Sequence, residues 1–167
     1  LHDFNIVEVI LELLPFQEAI NNEADVVMIA HILLPELDKE NPSSMSKVII
    51  TDILRERMKF KGVVITDDMT MGAIMKNYEI GEASVKAVLA GTDIVLVCHG
   101  KDKQIEVIEA LKNAVLEGRI TEERIDESVY RILKLKDKYA INNDEQPAVN
   151  VEAINADINR LLNTYMK

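Results

Sequence analysis

Residues 60–74 read Phe60-Lys-Gly-Val-Val-Ile-Thr-Asp-Asp-Met-Thr-Met-Gly-Ala-Ile74. Val63 to Thr66 are apolar or β-branched, the composition of a buried strand. The run stops at two carboxylates, Asp67 and Asp68, and a short helical pattern follows at about 70–77. A carboxylate at the carboxyl end of a buried strand is where α/β enzymes keep their chemistry. Neighbouring side chains of a strand point to opposite faces. Asp67 therefore shares a side with Val63 and Ile65, and Asp68 with Val64 and Thr66, so the pair is not expected to act as one dyad. One carboxylate is expected to face a cavity. The other is expected to accept free amide hydrogens of the helix that opens near Thr70.

Two further runs repeat the pattern on either side. Ala24–His31 and Asp93–His99 are short apolar stretches that end in a histidine. Strands are therefore expected at 24–31, 62–67 and 93–98. From His31 to Asp67 is 36 residues and from Asp67 to His99 is 32, spacings that suit successive βα units. Strands alternating with helices form a parallel sheet. In such a sheet all three polar ends fall at one edge, which gathers His31, Asp67, Asp68 and His99. A metal site built from His31, Asp67 and His99 matches no standard local spacing. Met69 and Met71 flank the carboxylates; they suit packing, or the lining of a sugar or apolar pocket.

Between and around the strands the helical stripes are clear. Residues 4–20 carry Ile6, Val9, Ile10, Leu13 and Leu14 on one face, with a kink or a second start at Pro15. A long loop, 32–45, contains two prolines, and Ser46 can cap a helix with Ile49, Ile50, Ile53, Leu54 and Met58 on one face. Helices are expected over 81–90, ending at Gly91, over 102–117, ending at Gly118, and from a Thr121 cap to about Tyr139. Residues 141–150 read as a polar linker. The last helix, about 151–166, presents Val151, Ile154, Ile158, Leu161, Leu162 and Tyr165 on one face, a stripe that needs a partner surface.

Composition narrows the function classes. The 167 residues are 48% hydrophobic with a net charge of -10, which fits one globular domain. The chain has no basic cluster of the kind that binds nucleic acid. Its apolar runs fall far short of the ~18 residues that span a membrane. The single cysteine, Cys98, sits in an apolar run and is expected to be a small buried hydrophobe. No glycine-rich phosphate loop and no Gly-x-Ser-x-Gly elbow occurs. Nothing in the pattern calls for a cofactor.

The stretch 60–74 closely resembles the nucleophile segment of family 3 glycoside hydrolases, in the β-N-acetylglucosaminidase branch. Other stretches agree in order: Leu13-Leu-Pro-Phe-Gln-Glu-Ala-Ile20, then Val27-Met-Ile-Ala-His-Ile32 with Pro35 and Asp38. Pro42-Ser-Ser-Met-Ser46, Leu54-Arg-Glu-Arg57 and Gly118-Arg-Ile-Thr-Glu-Glu-Arg-Ile125 also fit. The resemblance covers about residues 10–140. It implies a (β/α)8 TIM barrel of which residues 1–139 would be the C-terminal part, with 140–167 a linker and an amphipathic helix. It also implies hydrolysis of a terminal β-linked N-acetylglucosamine with retention. Asp67 would be the nucleophile that forms a covalent glycosyl-enzyme. His31, Asp68, Met69 and Met71 would line the site or bind substrate.

The chain departs from that family in one respect. The branch carries its acid/base histidine in a Lys-His-Phe-x-Gly-His-Gly loop, and no such stretch is present. His2 lies in no matching context. Leu1 is not an initiator methionine, and the chain reads as a piece of something longer. Three strands cut from a barrel have open edges and an uncovered face, so dimerisation or self-covering by the last helix is expected. The alternative reading is a non-enzymatic α/β binding or assembly module derived from the barrel.

Overall fold

The computed structural model describes residues 6–141 and 148–166. His2 and most of the expected linker lie outside them. Two strands, β1 (Val26–Ile29) and β2 (Val63–Thr66), pair in parallel with Val26 opposite Val63 and Ile29 opposite Thr66. At their start the Val63 N–H donates to the Asp25 carbonyl over 2.9 Å. Gly62 is required there, because a Cβ on it would lie 2.3 Å from that same oxygen.

The third expected strand, 93–98, is only partly a strand. It runs beside β2 in parallel, with one bridge between Ile65 and Ile94. The Thr66 N–H donates to the Ile94 carbonyl and the Met69 N–H to that of Leu96. The regular ladder fails at Leu96, whose N–H goes to the Thr66 hydroxyl at 3.0 Å rather than to a backbone carbonyl. A side chain has taken the place of a rung. On the outer side, the Gln104 amide donates to the Val97 carbonyl at 3.1 Å and covers that edge.

Helices cover one side of the sheet. Val27, Ile29 and Val64 pack under Ile50, Leu54, Met58, Phe60 and Ala90. The opposite face of β1 is open: Val26 and Met28 stand exposed, Met28 by 56%. The strand is therefore half-covered, where its unbroken apolar run suggested burial on both faces. A second cluster, Met45, Met69, Ile74, Ile80, Ala83, Ala87 and Val107, fills the space beyond the strand ends. A third, Val85, Val88, Ala114 and Ile120, seals the outer helices.

The helices follow the apolar stripes with instructive differences. α1 (Ile6–Asn21) passes through Pro15 without a break. After a 3-10 turn, Ser43–Met45, the Ser46 hydroxyl accepts the Ile49 N–H. The helix that follows, Val48–Arg57, is a π-helix, and the Met58 N–H reaches back five residues to the Ile53 carbonyl. The helix after the two aspartates shrinks to one turn, α2 (Gly72–Met75). α3 (Ile80–Ala90) stops at Gly91, whose φ of 116° only glycine adopts freely. α4 (Lys101–Leu116) and α5 (Glu122–Lys138) follow, the latter capped by Thr121. α6 (Val151–Tyr165) has no buried residue and keeps its apolar stripe exposed. Among the described residues, no helix is long and apolar enough to cross a membrane.

A charged cluster at the amino ends of the strands ties these layers together. The Asp93 carboxylate is fully enclosed and faces Arg55, Arg124 and Arg131. It also accepts the Ser128 hydroxyl at 2.7 Å and the Val64 N–H at 2.9 Å. Arg55 and Arg124 extend the network to the carbonyls of Gly62, Val88 and Thr92. Burial depresses both guanidinium pKa values, and the adjacent Asp93 charge opposes that shift. Asp93 read as no more than the start of a strand in the sequence. Nothing in the spacing of its three arginines marked them as partners of Asp93.

Candidate active site

The carboxyl end of β2 brings the expected polar residues together. Asp67 follows directly on Thr66, and its N–H still pairs with β1, donating to the Ile29 carbonyl over 3.0 Å. Its carboxylate is half-buried at the rim. Oδ1 accepts the N–H of Asp68 at 2.8 Å. Among the described residues, Oδ2 has no hydrogen-bond partner.

Asp68 turns the other way and is the junction of the rim. Its Oδ1 accepts the amides of Thr70 and Cys98, each at 3.0 Å, and its Oδ2 accepts the Thr70 hydroxyl at 2.6 Å. The exposed ring of His99 stands 3.8 Å from Oδ2. Partial burial works to raise the Asp68 pKa. The Cys98 amide, both Thr70 donors and the His99 ring outweigh it and hold the carboxyl below the usual range. The carboxylate thus closes a tight turn before α2 rather than capping that helix, which starts at Gly72 with Met71 as its uncapped first flank.

His31 joins the same junction from β1. Its Nε2 lies 3.0 Å from the Asp68 carbonyl oxygen and its Nδ1 2.7 Å from the Ser44 hydroxyl. A carbonyl only accepts, so Nε2 carries the proton and, in the neutral ring, Nδ1 accepts from Ser44. His31 thereby links the loop after β1 to the turn after β2. Ser44 is completely buried and was not singled out by sequence reasoning. The signal was its place in a serine pair next to a proline, opposite a histidine-ended strand.

The methionines separate. Met71 is exposed at the rim, whereas Met69 is fully buried in the core with Ile74 and Ile80. Met69 points beneath the site because its backbone is held against Leu96, so it does not line the face as expected. Cys98 is exposed, against the expectation of a buried thiol. It sits past the last rung of a segment that pairs with no further strand on its outer side among the described residues. Desolvation and the adjacent Asp68 raise its pKa. His99, with its side chain 83% exposed, points into solvent. Among the described residues, no group of three or more His, Cys, Asp or Glu side chains could hold a metal ion, so His31, Asp67 and His99 do not form one.

Parallel strands followed by helices, with polar side chains gathered beyond their carboxyl ends, define an α/β protein with the site layout of that class. The chain belongs to glycosyl hydrolase family 3: residues 9–135 match the family's N-terminal domain. A β-hexosaminidase of Haemophilus influenzae is 36% identical over 104 residues, which are 60% of this chain and 29% of that protein. A β-hexosaminidase of Stenotrophomonas maltophilia is 40% identical over 116 residues, 65% of this chain and 33% of the relative. A glycoside hydrolase family 3 β-N-acetylglucosaminidase from Paenibacillus sp. superposes with a TM-score of 0.80 at 42% identity, covering 84% of this chain and 27% of that one. The chain thus spans 27% to 33% of the length of these relatives.

Proposed function

We propose that this chain is the C-terminal part of the barrel of a retaining β-N-acetylglucosaminidase, and that Asp67 is its nucleophile. One observation carries the reading: the Asp67 carboxylate stands at the carboxyl end of β2 with Oδ1 held by a backbone amide and Oδ2 free to react. In the first step a lone pair of Oδ2 forms a bond to the anomeric carbon. The bond to the leaving oxygen breaks and that oxygen takes the electron pair, with a proton from an acid/base group. Water then reverses the sequence and releases the sugar with its configuration retained.

The acid/base group is not in these residues, so the chain alone is incompetent. General acid–base help is worth about 10²–10⁴-fold, and most sugar contacts would be missing as well. His31, Asp68 and Met71 would line the rim. Residues 1–139 would be the barrel part, and 140–167 a linker and helix outside it. The exposed Val26 and Met28 stand on the face that a closed barrel packs internally. The remainder of the barrel would cover that face, and the stripe of α6 would pair with a second copy. The substrate would be a saccharide with a terminal β-linked N-acetylglucosamine.

An aryl N-acetyl-β-glucosaminide tests this. The chain alone should give no turnover above buffer. Joined to the preceding barrel segment of the Stenotrophomonas maltophilia relative, it should turn over, and a fluorosugar trap should label Asp67 in a peptide digest. Labelling at another residue, or turnover by the chain alone that Asp67→Ala abolishes, would overturn the respective part of the proposal.

A further inference from the structure

Residue 68 touches every segment of the rim. Its amide holds Asp67 Oδ1, its carbonyl accepts His31 Nε2 and the Met71 N–H, and its carboxylate holds Thr70 and Cys98. Three loops, those after β1, β2 and residues 93–98, therefore meet at one residue. Asp67 has no other side-chain hydrogen bond among the described residues. Whatever orients its carboxylate acts through the peptide that follows it.

We infer that Asp68 is a positioning residue for Asp67: anchored by its side chain to Thr70 and Cys98, it aims its own N–H at Asp67 Oδ1 and so leaves Oδ2 as the attacking oxygen. The attack rests on the nucleophile reading above; the positioning does not. The design follows from where the anchors lie. A free peptide plane after a strand end can rotate, and a rotated plane would release Oδ1. Here the Asp68 Cα, on which that plane turns, is held by its carboxylate at Thr70 and Cys98 and by the next peptide, whose carbonyl accepts from His31 Nε2 and whose Met69 N–H donates to Leu96. Preorganisation of this kind keeps the reacting oxygen in place before substrate arrives.

Nuclear magnetic resonance on the isotope-labelled chain tests the positioning without any glycosidase assay, so its failure is separate from failure of the nucleophile reading. During an acid titration the Asp68 amide proton should move with the ionisation of Asp67, and Asp67→Asn should remove that movement. In Asp68→Asn, the Cys98 and Thr70 amides should exchange about tenfold faster or more, the size of one charge-assisted hydrogen bond. The residue-68 amide should at the same time lose most of its response to Asp67. An Asp68 amide blind to Asp67 ionisation in the unmodified chain would overturn the inference. So would an Asp68→Asn chain with both signals unchanged. Should that variant not fold, Thr70→Val removes only the hydroxyl anchor and must weaken the same two signals in part; no change there counts against the inference.

Discussion

The Asp93 carboxylate, with no exposed surface, binds the Arg55 guanidinium through the same oxygen that accepts the Val64 N–H. Its other oxygen accepts from Ser128 and Arg131. Removing it leaves buried guanidinium groups without a counter-charge. Asp93→Ala should cost about 3–5 kcal/mol, the range for breaking one side of a buried ion pair. Urea denaturation measures it, and an unchanged midpoint would show that water replaces the carboxylate.

Gly62 packs under the Asp25 carbonyl and the Phe60 ring, with a virtual Cβ 2.3 Å from the former and 2.6 Å from the latter. Gly62→Ala forces the two strand starts apart. A loss of about 1–3 kcal/mol follows from overpacking of this kind. Thermal melting should drop accordingly, and an equal or higher melting temperature would mean that the strand start yields without strain.

Acid should weaken the fold at identifiable carboxylates. Asp68 is held below the usual range, as is Asp25, whose carboxyl accepts from Lys138 and Tyr139. A depressed folded-state pKa contributes stability above the unfolded value and loses it as pH falls through the folded value. Stability should therefore decline as pH drops below about 4. The decline should be shallower in Asp68→Asn. Parallel curves for the two proteins would remove Asp68 from the account.

Thr66 is fully buried, and its hydroxyl stands in for a backbone carbonyl toward Leu96. Thr66→Val keeps the shape and removes the acceptor. An unsatisfied buried amide costs about 1–3 kcal/mol, and hydrogen exchange at Leu96 should accelerate to match. If stability holds and Leu96 stays protected, the segment has shifted into a regular ladder.

The alternation of apolar runs and helical stripes placed most elements to within a few residues, because burial on one face is written in spacing. Polar strand ends located Asp67, Asp68, His31 and His99 on one edge for the same reason. What spacing does not carry is which partner a side chain takes across the fold. Asp93 looked like a strand start because its arginines come from the π-helix and α5, far along the chain. The Thr66 hydroxyl was invisible as a rung, so residues 93–98 read as an ordinary strand. Cys98 read as buried because an apolar run says nothing about how far its last member projects beyond its neighbours.

Residues 93–98 are fixed very differently at their two ends. At one end Asp93 sits in an enclosed charge cluster, and at the other Cys98 meets Asp68 at an exposed rim. Between them the backbone is tied at Ile94, which donates to Val64 and accepts from Thr66, and at Leu96, which accepts from Met69. Enclosure at one end and exposure at the other grade the segment: its hydrogen exchange should be fastest at Cys98 and slowest at Asp93, so the outer margin of the sheet takes its register from the enclosed end.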